Sequence, residues 1–173
     1  MDTRRFAMNY GGVLGLFLVL IALLFWVFGI DDRESFIPSL INSLVVIGFL
    51  FYAISQYRDT VNNGFISYAS SLKTGTSIAF FSSLIMAYYT LIYISYLDPD
   101  MLTNILNTTE QTVLQSQPDI SDEDLDLALE MTAKIMQPHW LMIMGVLSGT
   151  FMGFFYSAII SFFVKNPDPN KIE

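Results

Sequence analysis

Cysteine is absent from the 173 residues and histidine occurs once. Disulfides, thiolate metal sites and cysteine nucleophiles are therefore ruled out, and the compartment is left open. The lone imidazole, His139, cannot build a multi-histidine metal site, and no serine or cysteine stands at a recognisable spacing from it. Charge is missing from whole segments: residues 10–30, 36–57, 74–97 and 140–164 contain no Lys, Arg, Asp, Glu or His. A bilayer core about 30 Å thick needs roughly 20 apolar residues, and one charge at its centre costs about 2.5 to 3.5 kcal/mol. Each run is long enough to cross. The chain therefore reads as an all-α membrane protein with four transmembrane helices. With 53% hydrophobic and 14% charged residues, it has too little polar surface to cover a soluble core.

Basic residues are few and unevenly placed. Arg4, Arg5, Arg58, Lys73, Lys165 and Lys171 share one side of the four spans, and Arg33 and Lys134 are left for the other. That second side also takes Asp31, Asp32, Glu34 and nine acids between Asp98 and Glu130. Lys and Arg near span ends mark the cytoplasmic side, so both termini are expected inside and residues 98–139 outside. The net charge of -8 is thus carried by the outer face, which makes nucleic acid an improbable partner. Arg4 and Arg5 ahead of an apolar run also fit a secretory signal, but the run is long, aromatic, without a small-residue cleavage site and followed by three more spans. It is read as an anchor.

Between the runs, Gly29 to Arg33 forms a short polar turn that makes the first two spans antiparallel neighbours. Asn62, Asn63 and Gly64 signal a second turn, after which Phe65, Tyr68, Ala69 and Leu72 suggest a short amphipathic helix at the cytoplasmic interface. The segment 98–139 reads as a two-helix acidic extramembrane insertion. Asp98 is expected to cap its first helix with Pro99 at the first helical position, and Met101, Leu102, Ile105, Leu106, Thr109 and Val113 to form its apolar stripe. Ser121 is expected to cap the second, striped by Leu125, Ala128, Leu129, Thr132, Ile135 and Met136 until Pro138. The tail after Val164 is expected to fray, and no internal repeat is evident.

Small residues carry the strongest pattern within the spans. Gly145, Gly149, Gly153, Ser157 and Ser161 recur every fourth residue in the last span, and Gly75, Ala79, Ser83 and Ala87 match them in the third. Lipid tails are as apolar as leucine, so helices associate in a bilayer by close backbone approach, which small residues permit. The rows suit packing of spans three and four on each other, or an interface with a second copy or another membrane protein. Asp119, Asp122, Glu123, Asp124 and Asp126 invite a calcium reading, but Leu127 stands where the loop motif needs glycine and Ala133 where it needs the bidentate Glu. Acids in a first helical turn answer the helix dipole instead. Trp140, Tyr10 and Tyr57 fit an interfacial aromatic belt. Asn42, Ser43, Ser77, Ser82, Thr90, Ser95, Ser148 and Thr150 are polar but uncharged, and without an ionisable group at depth a proton- or ion-driven carrier is disfavoured.

Tyr57-Arg58-Asp59, Asn63-Gly64-Phe65-Ile66-Ser67-Tyr68, Leu72-Lys73-Thr74-Gly75, Tyr96-Leu97-Asp98-Pro99-Asp100 and a glycine-rich last span ending at Lys165 occur in that order. Over nearly its whole length the chain resembles the domain-of-unknown-function 4199 family, small four-helix membrane proteins found mostly in Bacteroidota. The resemblance implies the inner membrane of a two-membrane bacterium and a periplasmic 98–139 segment. It implies no reaction and no cofactor. It also draws notice to Arg58 and Lys73, two cations able to hold lipid phosphate or simply to snorkel from span ends. The function expected is a non-catalytic accessory or scaffold subunit of a membrane complex, with lipids and other membrane proteins as partners. The alternative is a small transporter or lipid-handling protein with a cavity between the spans, to be recognised by a polar pocket near Asn42 or Ser83.

Overall fold

The computed structural model describes residues 2–30 and 36–169. Its elements are α1 (Thr3–Val27), α2 (Ile37–Thr60), α3 (Tyr68–Ile92), a π-helical turn at Tyr93–Leu97, α4 (Met101–Ser116), α5 (Asp122–Ile135) and α6 (Pro138–Val164). Four helices are long and apolar enough to cross a membrane, the third including the π turn. The charge-free runs underestimate them. Asp2 caps α1 by accepting from the Arg4 amide, so helix begins two turns before Tyr10 and carries Arg4 and Arg5 in its first turn. Ser67 caps α3 in the same way, its Oγ accepting from the Ser70 amide at 3.3 Å. Tyr68 to Leu72 is therefore the start of the third long helix rather than a separate interfacial one.

Turn chemistry sets the ends. Gly29 takes φ +66°, with its own amide bonded to Trp26 O and the Ile30 amide to Phe25 O. This is the left-handed glycine stop that satisfies the last carbonyls of a helix. The rest of the expected Gly29 to Arg33 turn lies outside the described residues. Asn63 and Gly64 adopt φ 53° and 87°, making the anticipated reversal between α2 and α3.

Residues 1–86 with 146–173 form one compact unit, and residues 87–145 a second. The first buries Leu14, Leu50, Ile54, Ile78 and Val164 together with Ser71, Thr74, Ser157 and Ser161, while Leu16, Leu20, Leu44, Phe151, Ile159 and Phe163 face outward. Hydroxyls inside and leucines outside is the distribution expected where the solvent is hydrocarbon. Chain direction follows from pairings: α1 runs antiparallel to α2, since Phe6 meets Tyr57 edge to face and Tyr10 reaches Phe49 and Tyr52.

In the second unit α4 and α5 pack on each other, and Met101, Leu102, Ile105, Leu106, Thr109 and Val113 are half-buried, as are Leu125, Ala128, Leu129, Thr132 and Met136. Ile135, placed on the same stripe by spacing, is exposed. Neither helix has a fully buried residue. Asp98 does not cap α4. Its backbone is non-helical at φ -137° and ψ 68°, its carbonyl accepts from the Met101 amide, and the helix starts after Asp100. A residue preceding proline is steered out of the helical region, which places Asp98 in the turn. Ser121 does cap α5: its Oγ accepts from the Asp124 amide at 3.2 Å and donates to the Asp124 carboxylate at 2.7 Å. In the last turn Lys134 pairs with Glu130 at 2.8 Å and holds that carboxyl below its ordinary range, first through the hydrogen bond and then through its charge.

Candidate functional site

Within the first unit the two small-residue rows meet. The Ser161 hydroxyl lies 2.9 Å from Ser71 Oγ and 2.6 Å from the Ser157 carbonyl. One hydroxyl has one proton, so it donates to the carbonyl and accepts from Ser71. One step along, Gly75 faces Ser157 so closely that a Cβ on the glycine would fall on the serine side chain. The next step sets Gly153 against Ala79 in the same way, and the next sets Gly149 against Ser83, whose Cβ would be 2.9 Å away. Ser83 Oγ then lies 3.3 Å from Thr150 Oγ1. Each advance of four on α3 is matched by four backwards on α6, so the helices are antiparallel and in register. Ser157 Oγ, fully buried, occupies the place of the missing Gly75 side chain and has no hydrogen-bond partner among the described residues. Gly145 and Ala87 belong to the second unit; Ala87 is buried, and no neighbouring atom lies within 4 Å of where a Gly145 Cβ would stand.

A further small-residue row escaped sequence reading. Ala7, Gly11 and Gly15 are buried on α1. A Cβ on Gly11 would come 2.6 Å from Phe81 Cβ and 2.7 Å from Ile78 O, and one on Gly15 would come 2.8 Å from Ile85 Cβ. Helix α3 is thus gripped from two directions, in parallel by α1 and in antiparallel by α6. The signal was present as small residues at four-residue spacing, the same rule that exposed the row on α6.

One end of this unit gathers the termini. Thr3 Oγ1 lies 2.6 Å from Tyr57 OH. Arg58 donates from Nε and Nη2 to the Asp59 carboxylate at 2.7 and 3.2 Å, and from Nη1 to the Val164 carbonyl at 3.3 Å. A guanidinium at the C-terminus of α6 both satisfies an orphan carbonyl and answers the negative end of the dipole. The tail beyond it does not fray at once: Ile66 and Asn166 exchange both backbone hydrogen bonds at 2.8 and 2.9 Å, and Asn166 Nδ2 donates to Gly64 O. Lys165 Nζ stands 5.1 Å over the Phe162 ring.

Arg58 is therefore engaged within the fold, and Lys73 keeps different company. Lys73 lines an open groove of about 540 Å³ with Arg4, Thr76, Ser77, Phe80 and Thr150. Positions 73, 76, 77 and 80 share one stripe of α3 at 3.6-residue spacing, polar at Lys73, Thr76 and Ser77 and apolar at Phe80. Asp2 and Thr3 also border the groove, and Asp2 Oδ1 accepts from the Arg4 amide at 3.3 Å. Among the described residues, no hydrogen bond or ion pair engages the Arg4 guanidinium or the Lys73 ammonium. Sequence reading paired Lys73 with Arg58 because both flank one connection; the proximity of the α1 N-terminus to α3 is a tertiary fact. Elsewhere, no group of three or more His, Cys, Asp or Glu able to hold a metal ion exists among the described residues.

Four long apolar helices, joined through glycine and serine seams and presenting leucine and phenylalanine outward, define a multi-pass helical membrane protein. Residues 9–166 match the family described as protein of unknown function (DUF4199), and the chain belongs to that family. No curated protein and no solved structure matches it.

Proposed function

We propose that the protein is a non-catalytic accessory or scaffold subunit of a complex in the inner membrane of a two-membrane bacterium. Both termini face the cytoplasm, and α4 with α5 stands in the periplasm as an acidic cap. The outward face of α6 carries this reading. With its small residues spent on α3, that helix turns Phe151, Phe155, Ile159, Phe162 and Phe163 outward, a ridge in which the Phe151 and Phe155 rings already stack edge to face at 4.8 Å. Such a ridge offers a neighbouring helix large, stiff surfaces to pack on. Orientation is argued from Arg4, Lys73 and Lys165, which lie on the terminal side of the spans, against the acids that open α5. Purification in a mild detergent tests the role: co-eluting membrane proteins or a defined oligomer are expected, and a strictly monomeric particle without companions contradicts it.

A second reading, a small transporter or lipid-handling protein, draws support from the groove that reaches Thr150, the hydroxyl beside Ser83, and from Asn42, whose buried Oδ1 has no hydrogen-bond partner among the described residues.

A further inference from the structure

A polar stripe on the outside of a helix in hydrocarbon costs free energy unless something polar covers it. The stripe formed by Lys73 and Ser77 is such a case, Thr76 Oγ1 being already bonded to the Leu72 carbonyl at 2.8 Å, and Arg4 of α1 joins it at the same level. The level is fixed by packing: Gly11 sits against Ile78 and Phe81, so stepping back two turns on both parallel helices brings Arg4 beside Lys73. Both cations stand at the boundary of their charge-free runs, where a headgroup region would lie. Deeper along the stripe the chemistry changes. Phe80 and Leu84, both exposed, continue the same face as bare apolar surface. Two cations without a partner among the described residues and the Ser77 hydroxyl at the interface, followed by an apolar track pointing into the bilayer, match an ion with a hydrocarbon tail.

We propose that this groove binds the phosphate of an anionic glycerophospholipid. Arg4 supplies a planar donor fork and Lys73 a point charge to the phosphate oxygens; Ser77 donates a further hydrogen bond, and an acyl chain lies over Phe80 and Leu84. With Asp2 counted against Arg4 and Lys73, 2 minus 1, the mouth carries a net charge of +1, suited to a singly charged phosphodiester. The site needs only that the helices lie in a bilayer, and so stands independently of the scaffold role.

Native mass spectrometry of the full chain in detergent tests it, with phosphatidylglycerol, diacylglycerol of the same chains and glycerol phosphate added separately. Phosphatidylglycerol should be retained, and Arg4→Gln/Lys73→Gln should weaken it about thirtyfold. The charge-matched Arg5→Gln/Lys165→Gln protein should retain it as the wild type does. Equal retention by the two double variants overturns the assignment, and so does diacylglycerol binding as well as the phospholipid. Glycerol phosphate binding as tightly as the lipid overturns the lipid as the source of the phosphate. Should Arg4→Gln/Lys73→Gln fail to fold, the wild-type preference between phosphatidylglycerol and diacylglycerol decides the matter alone. Co-eluting proteins report on the scaffold role and leave this comparison unaffected.

Discussion

Alanine at three glycines of α6 should have three different effects, although the chemical change is identical. At Gly153 the new methyl would overlap Ala79 Cβ, an atom fixed directly to the α3 backbone and unable to rotate away. The helices must separate or bend, and overpacking of this kind costs about 1 to 3 kcal/mol. At Gly149 the methyl would meet Ser83 Cβ at 2.9 Å, a milder overlap that a few tenths of an ångström relieves. At Gly145 it meets nothing within 4 Å, so the helix gains up to about 1 kcal/mol from the better propensity of alanine. The propensity gain is common to both positions, so the spread between Gly153→Ala and Gly145→Ala is the overpacking cost alone, about 1 to 3 kcal/mol. Unfolding in mixed micelles, followed by far-UV circular dichroism, gives the order directly. Three equal effects, or Gly145→Ala more damaging than Gly153→Ala, would refute the register of α3 on α6.

Ser157→Ala removes a buried hydroxyl that has no partner and should leave stability unchanged or raise it by about 1 kcal/mol, measured in the same unfolding assay; a loss of more than that would mean the hydroxyl is satisfied by a group of this seam. The Glu130 carboxyl is held low by Lys134, so its contribution to α5 is present above the unfolded carboxylate range and is lost as pH falls through the depressed folded value. Protection of the last turns of α5 against hydrogen exchange, after correction for the intrinsic pH dependence of amide exchange, should fall in that acidic window, and Lys134→Gln should remove that fall. Persistence of the dependence in Lys134→Gln would assign it to another carboxylate.

Much of this architecture was legible because two rules act locally. Absence of charge marked the four helices long and apolar enough to cross a membrane, and a 3.6-residue period marked α4 and α5, whose stripe residues are half-buried apart from Ile135. Boundaries were missed where those rules measure something else. A charge-free window reports hydrocarbon thickness, whereas a helix continues as far as its caps allow, so α1 begins at the Asp2 cap and α3 at the Ser67 cap with Arg4, Arg5 and Lys73 inside the helices. Long basic side chains reach the interface from such positions. The α3 and α6 rows were visible as periodic small residues, and Gly11 with Gly15 followed the same rule unnoticed. The groove was beyond sequence reading, since nothing local says that the N-terminus of α1 lies beside Lys73 rather than Arg58. The engagement of Arg58 with the Val164 carbonyl, 106 residues away, is likewise a product of the assembled helices.

Because the chain contains no cysteine, single substitutions give clean reporters of which side of a membrane each residue faces. Glu123→Cys in α5 and Thr60→Cys at the end of α2, treated in intact cells with the outer membrane opened and a maleimide that cannot cross the inner one, place the acidic helices and the terminal end in one experiment. Labelling of Cys at 123 alone, with the Thr60 variant reacting only after the inner membrane is disrupted, is the predicted result. Equal labelling of both in intact spheroplasts, or recovery of the protein in the soluble fraction, would contradict the four crossings on which the proposed orientation and the proposed lipid groove depend.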